Sequence, residues 1–150
     1  MRRTVAAIAV PLAVAASFAT MNLSASATAE NRSTVLTGER EVPGPGDPDG
    51  LGRAFVTVDG DTGRICLSVR FRNVDPLTGG HIHEGSSTEA GPVVVDFSQF
   101  IATSNPGQLK GCVVNAEEAA GLISDPSNYY VNIHNEAYPA GAIRGQLGSR

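Results

Sequence analysis

Gly80-His81-Ile82-His83-Glu84-Gly85 and its later counterpart Tyr130-Val131-Asn132-Ile133-His134-Asn135 contain all three histidines of the 150-residue chain. Both segments alternate polar and apolar residues, the period of a strand with one buried face. With Ile82, Val131 and Ile133 directed into a core, His81, His83, Asn132 and His134 share the opposite face. If the two strands are neighbours, three imidazoles fall in one solvent-accessible patch.

The same alternation extends on either side. Ala54, Val56 and Val58 alternate with Phe55, Thr57 and Asp59, and Asp59-Gly60-Asp61-Thr62-Gly63 forms a turn. Ile65, Leu67, Val69 and Phe71 then alternate with Cys66, Ser68, Arg70 and Arg72, so the pair reads as a hairpin. Val35 to Gly38 is expected as a first edge strand after a frayed lead-in at Glu30 to Thr34. The loop Glu41 to Gly50 carries three prolines and three glycines, and its Asp47 and Asp49 are explained by turn chemistry. Pro92 to Phe97 is a β-branched run expected to be buried on both sides, and Ile101 to Gln108 reads as loop. Lys110 to Val114 is a short strand. Asn115 with Glu118 three residues on marks a helix of about two turns, ended by Asp125-Pro126. Asn128 to Leu147 is a second hairpin around Ala137 to Gly141. About eight short strands and one short helix predict an all-β, Greek-key antiparallel β-sandwich.

Residues 1 to about 29 read as a secretory signal peptide. Met1-Arg2-Arg3 is charged, Val5 to Phe18 is mostly apolar, and Ala25-Ser26-Ala27 or Ala27-Thr28-Ala29 offers small residues for cleavage. An uncleaved anchor is the alternative, but Pro11 interrupts the run and no basic stop-transfer residues follow. The domain is expected to occupy 30–150, with no membrane span after cleavage. With Arg2 and Arg3 gone, nine cations face 15 acids, a net charge of −6. That balance, without tryptophan, argues against a nucleic-acid partner. In an oxidising compartment Cys66 and Cys112 are expected to form one disulfide, closing a loop whose entropy is worth about 4 kcal/mol. A thiolate metal site lacks the CxxC spacing.

Leu36-Thr37-Gly38, Glu41-Val42-Pro43, Gly52-Arg53-Ala54, Ile65-Cys66, the His-x-His segment, Gly91-Pro92-Val93-Val94, the Tyr129 to His134 strand and Tyr138 to Leu147 together resemble a CHRD domain, in order and over nearly the whole exported part. The resemblance implies a secreted or cell-envelope interaction module, of the bacterial kind, on an immunoglobulin-like sandwich akin to copper-zinc superoxide dismutase. It implies no activity by itself. Within the dismutase likeness, His81 and His83 are similar to a pair of copper ligands on one strand, His134 to a late copper histidine, and Arg144 to an anion-attracting arginine. No fourth histidine bridges two metals and no His/Asp cluster follows Gly85, so a full dismutase site is not expected.

Two readings of the histidines therefore stand. In one, His81, His83 and His134 hold copper in preference to zinc, with Glu84 or Asn132 completing the set or orienting a ring. In the other, they hydrogen-bond to backbone, Arg144 or tyrosines and merely close one end of the sandwich. Arg144 likewise reads either as an anion-steering group or as a backbone clamp. The first expectation for function is a non-catalytic extracellular binding module with an unidentified ligand. The competing one is a copper-binding or redox protein, superoxide dismutase-like if it is an enzyme. No nucleophile elbow or phosphate loop supports hydrolase or kinase chemistry.

Overall fold

The computed structural model describes residues 29–148. The proposed signal segment, apart from Ala29, lies outside them. Eight strands alternate with short helices: β1 (Glu30–Thr37), β2 (Leu51–Asp59), β3 (Arg64–Arg72), β4 (Leu77–Glu84), β5 (Val93–Asp96), β6 (Gln108–Val114), α1 (Ala116–Ser124), β7 (Tyr129–Asn135) and β8 (Ile143–Gln146). All pairings are antiparallel, in the order β5-β4-β7-β8-β1-β2-β3-β6. The sheet folds over where β8 meets β1, at the single bridging pair Thr37 and Arg144. This makes two layers, β6-β3-β2-β1 and β5-β4-β7-β8. Crossings from β3 to β4, β5 to β6 and β6 to β7 give the Greek-key connectivity.

The alternation read from sequence fills the space between the layers. Ala54, Val56, Val58, Ile65, Leu67 and Val69 from one layer meet Ile82, Val131, Ile133 and Ile143 from the other, all fully or almost fully buried. Each large aliphatic side chain removed from water in this way contributes roughly 1.5–3 kcal/mol. Gly80 shows how close the layers come, because a Cβ there would stand 2.2 Å from Leu109 Cδ2 on β6. The free edges nearly meet. Phe97 N donates to Gly80 O, and the 3-10 turn Ser98–Thr103 lays Phe100 across Gly111 of β6.

Three local expectations are corrected. β1 begins at Glu30, so the lead-in is strand, and β1 is interior because β2 and β8 pair on either side of it. β5 is an edge strand with Val93 exposed and Val95 buried, since only β4 pairs with it. Ile101 to Thr103, expected as the start of a loop, belong to the 3-10 helix Ser98–Thr103. The helix start holds: Asn115 Oδ1 accepts from Glu118 N at 3.2 Å, with Glu117 and Glu118 in the first turn. Cys66 and Cys112 stand opposite each other across β3 and β6 and are disulfide-bonded.

Candidate metal centre

The pairing of β4 with β7 sets His81 opposite Asn132 and His83 opposite Tyr130. Alternation then brings His81, His83, Tyr130, Asn132 and His134 onto one face, joined from β8 by Arg144, the register partner of Asn132. One ring nitrogen from each histidine lies within 4.8 Å of the others. Ligands about 2.0–2.1 Å from one ion stand roughly 4 Å apart at most, so the set is open by under an ångström.

The outward nitrogens are already engaged, and that identifies the inward ones. His83 Nδ1 donates to Gly91 O at 2.9 Å, and His134 Nδ1 faces Pro139 O at 3.1 Å. A carbonyl only accepts, so with the Gly91 bond made Nε2 of neutral His83 carries the lone pair, while His134 Nε2 also faces Asn132 Oδ1 at 3.0 Å and His81 Nδ1 at 2.9 Å and exchanges donor and acceptor roles with its tautomer. His81 Nε2 faces Asp96 Oδ1 at 3.4 Å and Ser98 Oγ at 3.3 Å, leaving Nδ1 pointing inward, 2.9 Å from His134 Nε2. Backbone and carboxylate partners of this kind fix the ring orientation of metal-ligating histidines. His83 Nε2 is buried and no described atom stands in hydrogen-bonding geometry to it, although Asn132 lies near enough to favour the charged ring.

Burial makes all three imidazoles less basic than usual. His134 is pushed down to about 4, first by desolvation and then by His81. His81 and His83 are lowered mainly by desolvation too, with Asp96 acting against it at His81 and the Gly91 hydrogen bond at His83. Neutral rings with available lone pairs are the form that binds metal.

The expectation of a solvent-accessible patch is corrected: His83 is 8% and His134 9% exposed, and His81, the most open of the three, has its side chain 19% exposed. The segment after β4 folds back over the rings. Arg144 holds it, with Nη1 donating to Glu89 O at 2.8 Å and Nη2 to Ser86 O at 2.6 Å. Its guanidinium also stacks on Tyr130, 3.4 Å from the ring centroid, and Tyr130 stacks in turn on His83 at 4.7 Å. Gly91 is required at the fold-back, because a Cβ there would collide with Glu84 O. Arg144 is therefore the clamp of the covering loop.

Asn132 belongs to the cluster, with Oδ1 3.0 Å from His134 Nε2. Glu84 does not. Alternation turns it to the other face of β4, where Oε1 accepts from Asn128 Nδ2 at 3.1 Å. Glu41 is a group that sequence reasoning missed. It is 7% exposed, packs against Gly141, and is raised to about 7 by desolvation despite the opposing influence of Arg144 and Asn132. It sits in an irregular segment, where no periodicity signals burial. Tyr130 could have been found, since it lies two residues before Asn132 on the same strand.

Fold and cluster together define a two-layer antiparallel β domain with three preoriented imidazoles, two of them buried. A family model for the CHRD domain matches residues 32–147, and the chain belongs to that family. No curated protein and no solved structure matches it. Among the described residues no helix is long and apolar enough to cross a membrane.

Proposed function

We propose that this CHRD domain is an exported binding module that holds one copper ion through His81 Nδ1, His83 Nε2 and His134 Nε2. The observation that carries the reading is the buried His83 Nε2, which has no described partner and belongs to a cluster whose other two inward nitrogens are only 2.9 Å apart. A buried acceptor left unpaired costs about 1–3 kcal/mol, and a cation bound there removes that cost. Copper is favoured over zinc because an all-imidazole set binds Cu(II) more tightly in the divalent series, and among the described residues no fourth histidine, cysteine or carboxylate joins the three to close the tetrahedron that structural zinc prefers. Export is supported by the reading of residues 1–29 and by the Cys66–Cys112 bridge, which belongs to oxidising compartments.

The proposal is binding, not turnover. Arg144, the candidate for anion capture, has its guanidinium engaged by two loop carbonyls and the Tyr130 ring. Isothermal titration of the metal-free protein with copper and with zinc tests the reading. One copper per chain is expected, with affinity lost in His83→Ala and His134→Ala variants that retain their far-UV circular dichroism. Copper affinity unchanged in both variants overturns it.

A further inference from the structure

We infer that the outer face of the β6-β3-β2-β1 layer, remote from the histidines, binds an anionic polysaccharide. Arg53 of β2 stands directly opposite Arg70 of β3, Arg72 lies one step along the same face, and Lys110 of β6 faces Ser68 on the next row. Like charges opposed across a strand pair are destabilising. None of these four cations forms an ion pair among the described residues, where the pairs are Arg32 with Glu30 and His81 with Asp96. The only acid that register places on this face is Asp59, at the far end and opposite Arg64. A chain with 15 acidic and 11 basic residues thus gathers unpaired cations in one area, and charge complementarity calls for an anion there.

The apolar part of the surface says which kind. Val35 and Phe55 are 39% and 47% exposed, Arg53 lies 5.7 Å from the Phe55 ring, and an open groove of about 410 Å³ runs over Val35, Leu51 and Gly52 between the arginines. Aromatic and aliphatic platforms accept the apolar faces of sugar rings, while guanidinium forks take carboxylate or sulfate groups carried on them. An acidic peptide is less well served. β2 and β3, which carry the three arginines, are paired on both sides, so no backbone edge beside the arginines is open to an added peptide strand.

The test measures binding of the full protein to heparin and to polygalacturonate, which separate sulfate from carboxylate glycans, beside poly-glutamate and single-stranded DNA at matched charge. At least one glycan is expected to bind about tenfold tighter than either comparator, with a salt-dependent affinity that falls about tenfold in Arg53→Gln/Arg70→Gln/Arg72→Gln. The triple variant removes a like-charge opposition and is expected to fold. If it does not, Arg70→Gln alone carries the test, with a loss of about threefold. Affinity unchanged in the variant, or poly-glutamate or DNA bound as tightly as both glycans, overturns the inference.

Discussion

His81 Nδ1 stands 2.9 Å from His134 Nε2, although 53 positions separate the two residues in the chain. The contact exists because β4 and β7 are adjacent in space, and it ties the chemistry of the domain to one strand pairing. One of the two nitrogens carries the proton of this hydrogen bond, and a cation bound by both lone pairs would displace it.

Arg144 holds the cover of this site, and Arg144→Lys is expected to loosen it. A lysine is a point charge on a flexible stem and cannot reproduce two carbonyl contacts together with the stack on Tyr130. Loss of charge-assisted hydrogen bonds worth about 1.5–3 kcal/mol each predicts a destabilisation of about 2–4 kcal/mol in urea unfolding. Amide exchange should accelerate first between Ser86 and Gly91. Unchanged exchange there would show that the loop stays closed without the clamp.

Glu41 gives the domain a pH dependence of definite sign. Its carboxyl is raised from 4.5 to about 7, mainly by burial, so folding opposes its ionisation. Its contribution is intact below the unfolded value and declines as pH rises through the interval up to about 7. Glu41→Gln removes this penalty. The stability of the variant relative to wild type should therefore improve by up to about 3 kcal/mol between pH 4.5 and pH 8. Denaturant unfolding at both pH values measures the gap, and a gap that does not widen rules out a buried ionisation at this position.

The Cys66–Cys112 bridge joins β3 to β6, an edge strand, across register partners. Reduction frees a long loop in the unfolded chain, so stability should fall by about 2–4 kcal/mol. Chemical denaturation with and without reductant measures it. Copper binding should survive in the reduced, still-folded protein, because the bridge lies in the layer that does not carry the histidines.

The strands that carry the site were legible because their alternation is clean. In β4, Ile82 faces the core and His81 and His83 face away, and β7 repeats the pattern, so the three rings come together once β4 and β7 pair. The cover was not legible. The Ser86 to Gly91 segment is polar and reads as exposed loop, yet Arg144, 55 or more positions away, bonds two of its carbonyls and so buries His83. Period two finds a face but does not say what lies over it. β1 differs from its reading for a related reason: its first half is polar because only β2 pairs with it there, and β8 joins the strand at Thr37 alone. Glu84 was grouped with the histidines by proximity in sequence, where alternation already assigned it to the opposite face.

The most direct measurement is electron paramagnetic resonance of the protein loaded with one equivalent of Cu(II). The spectrum should show superhyperfine coupling to three imidazole nitrogens, falling to two in His83→Ala, with the Arg53→Gln/Arg70→Gln/Arg72→Gln protein indistinguishable from wild type. Identical spectra from wild type and from a folded His83→Ala/His134→Ala protein would mean that copper sits elsewhere, and that the three rings serve only to close the sandwich.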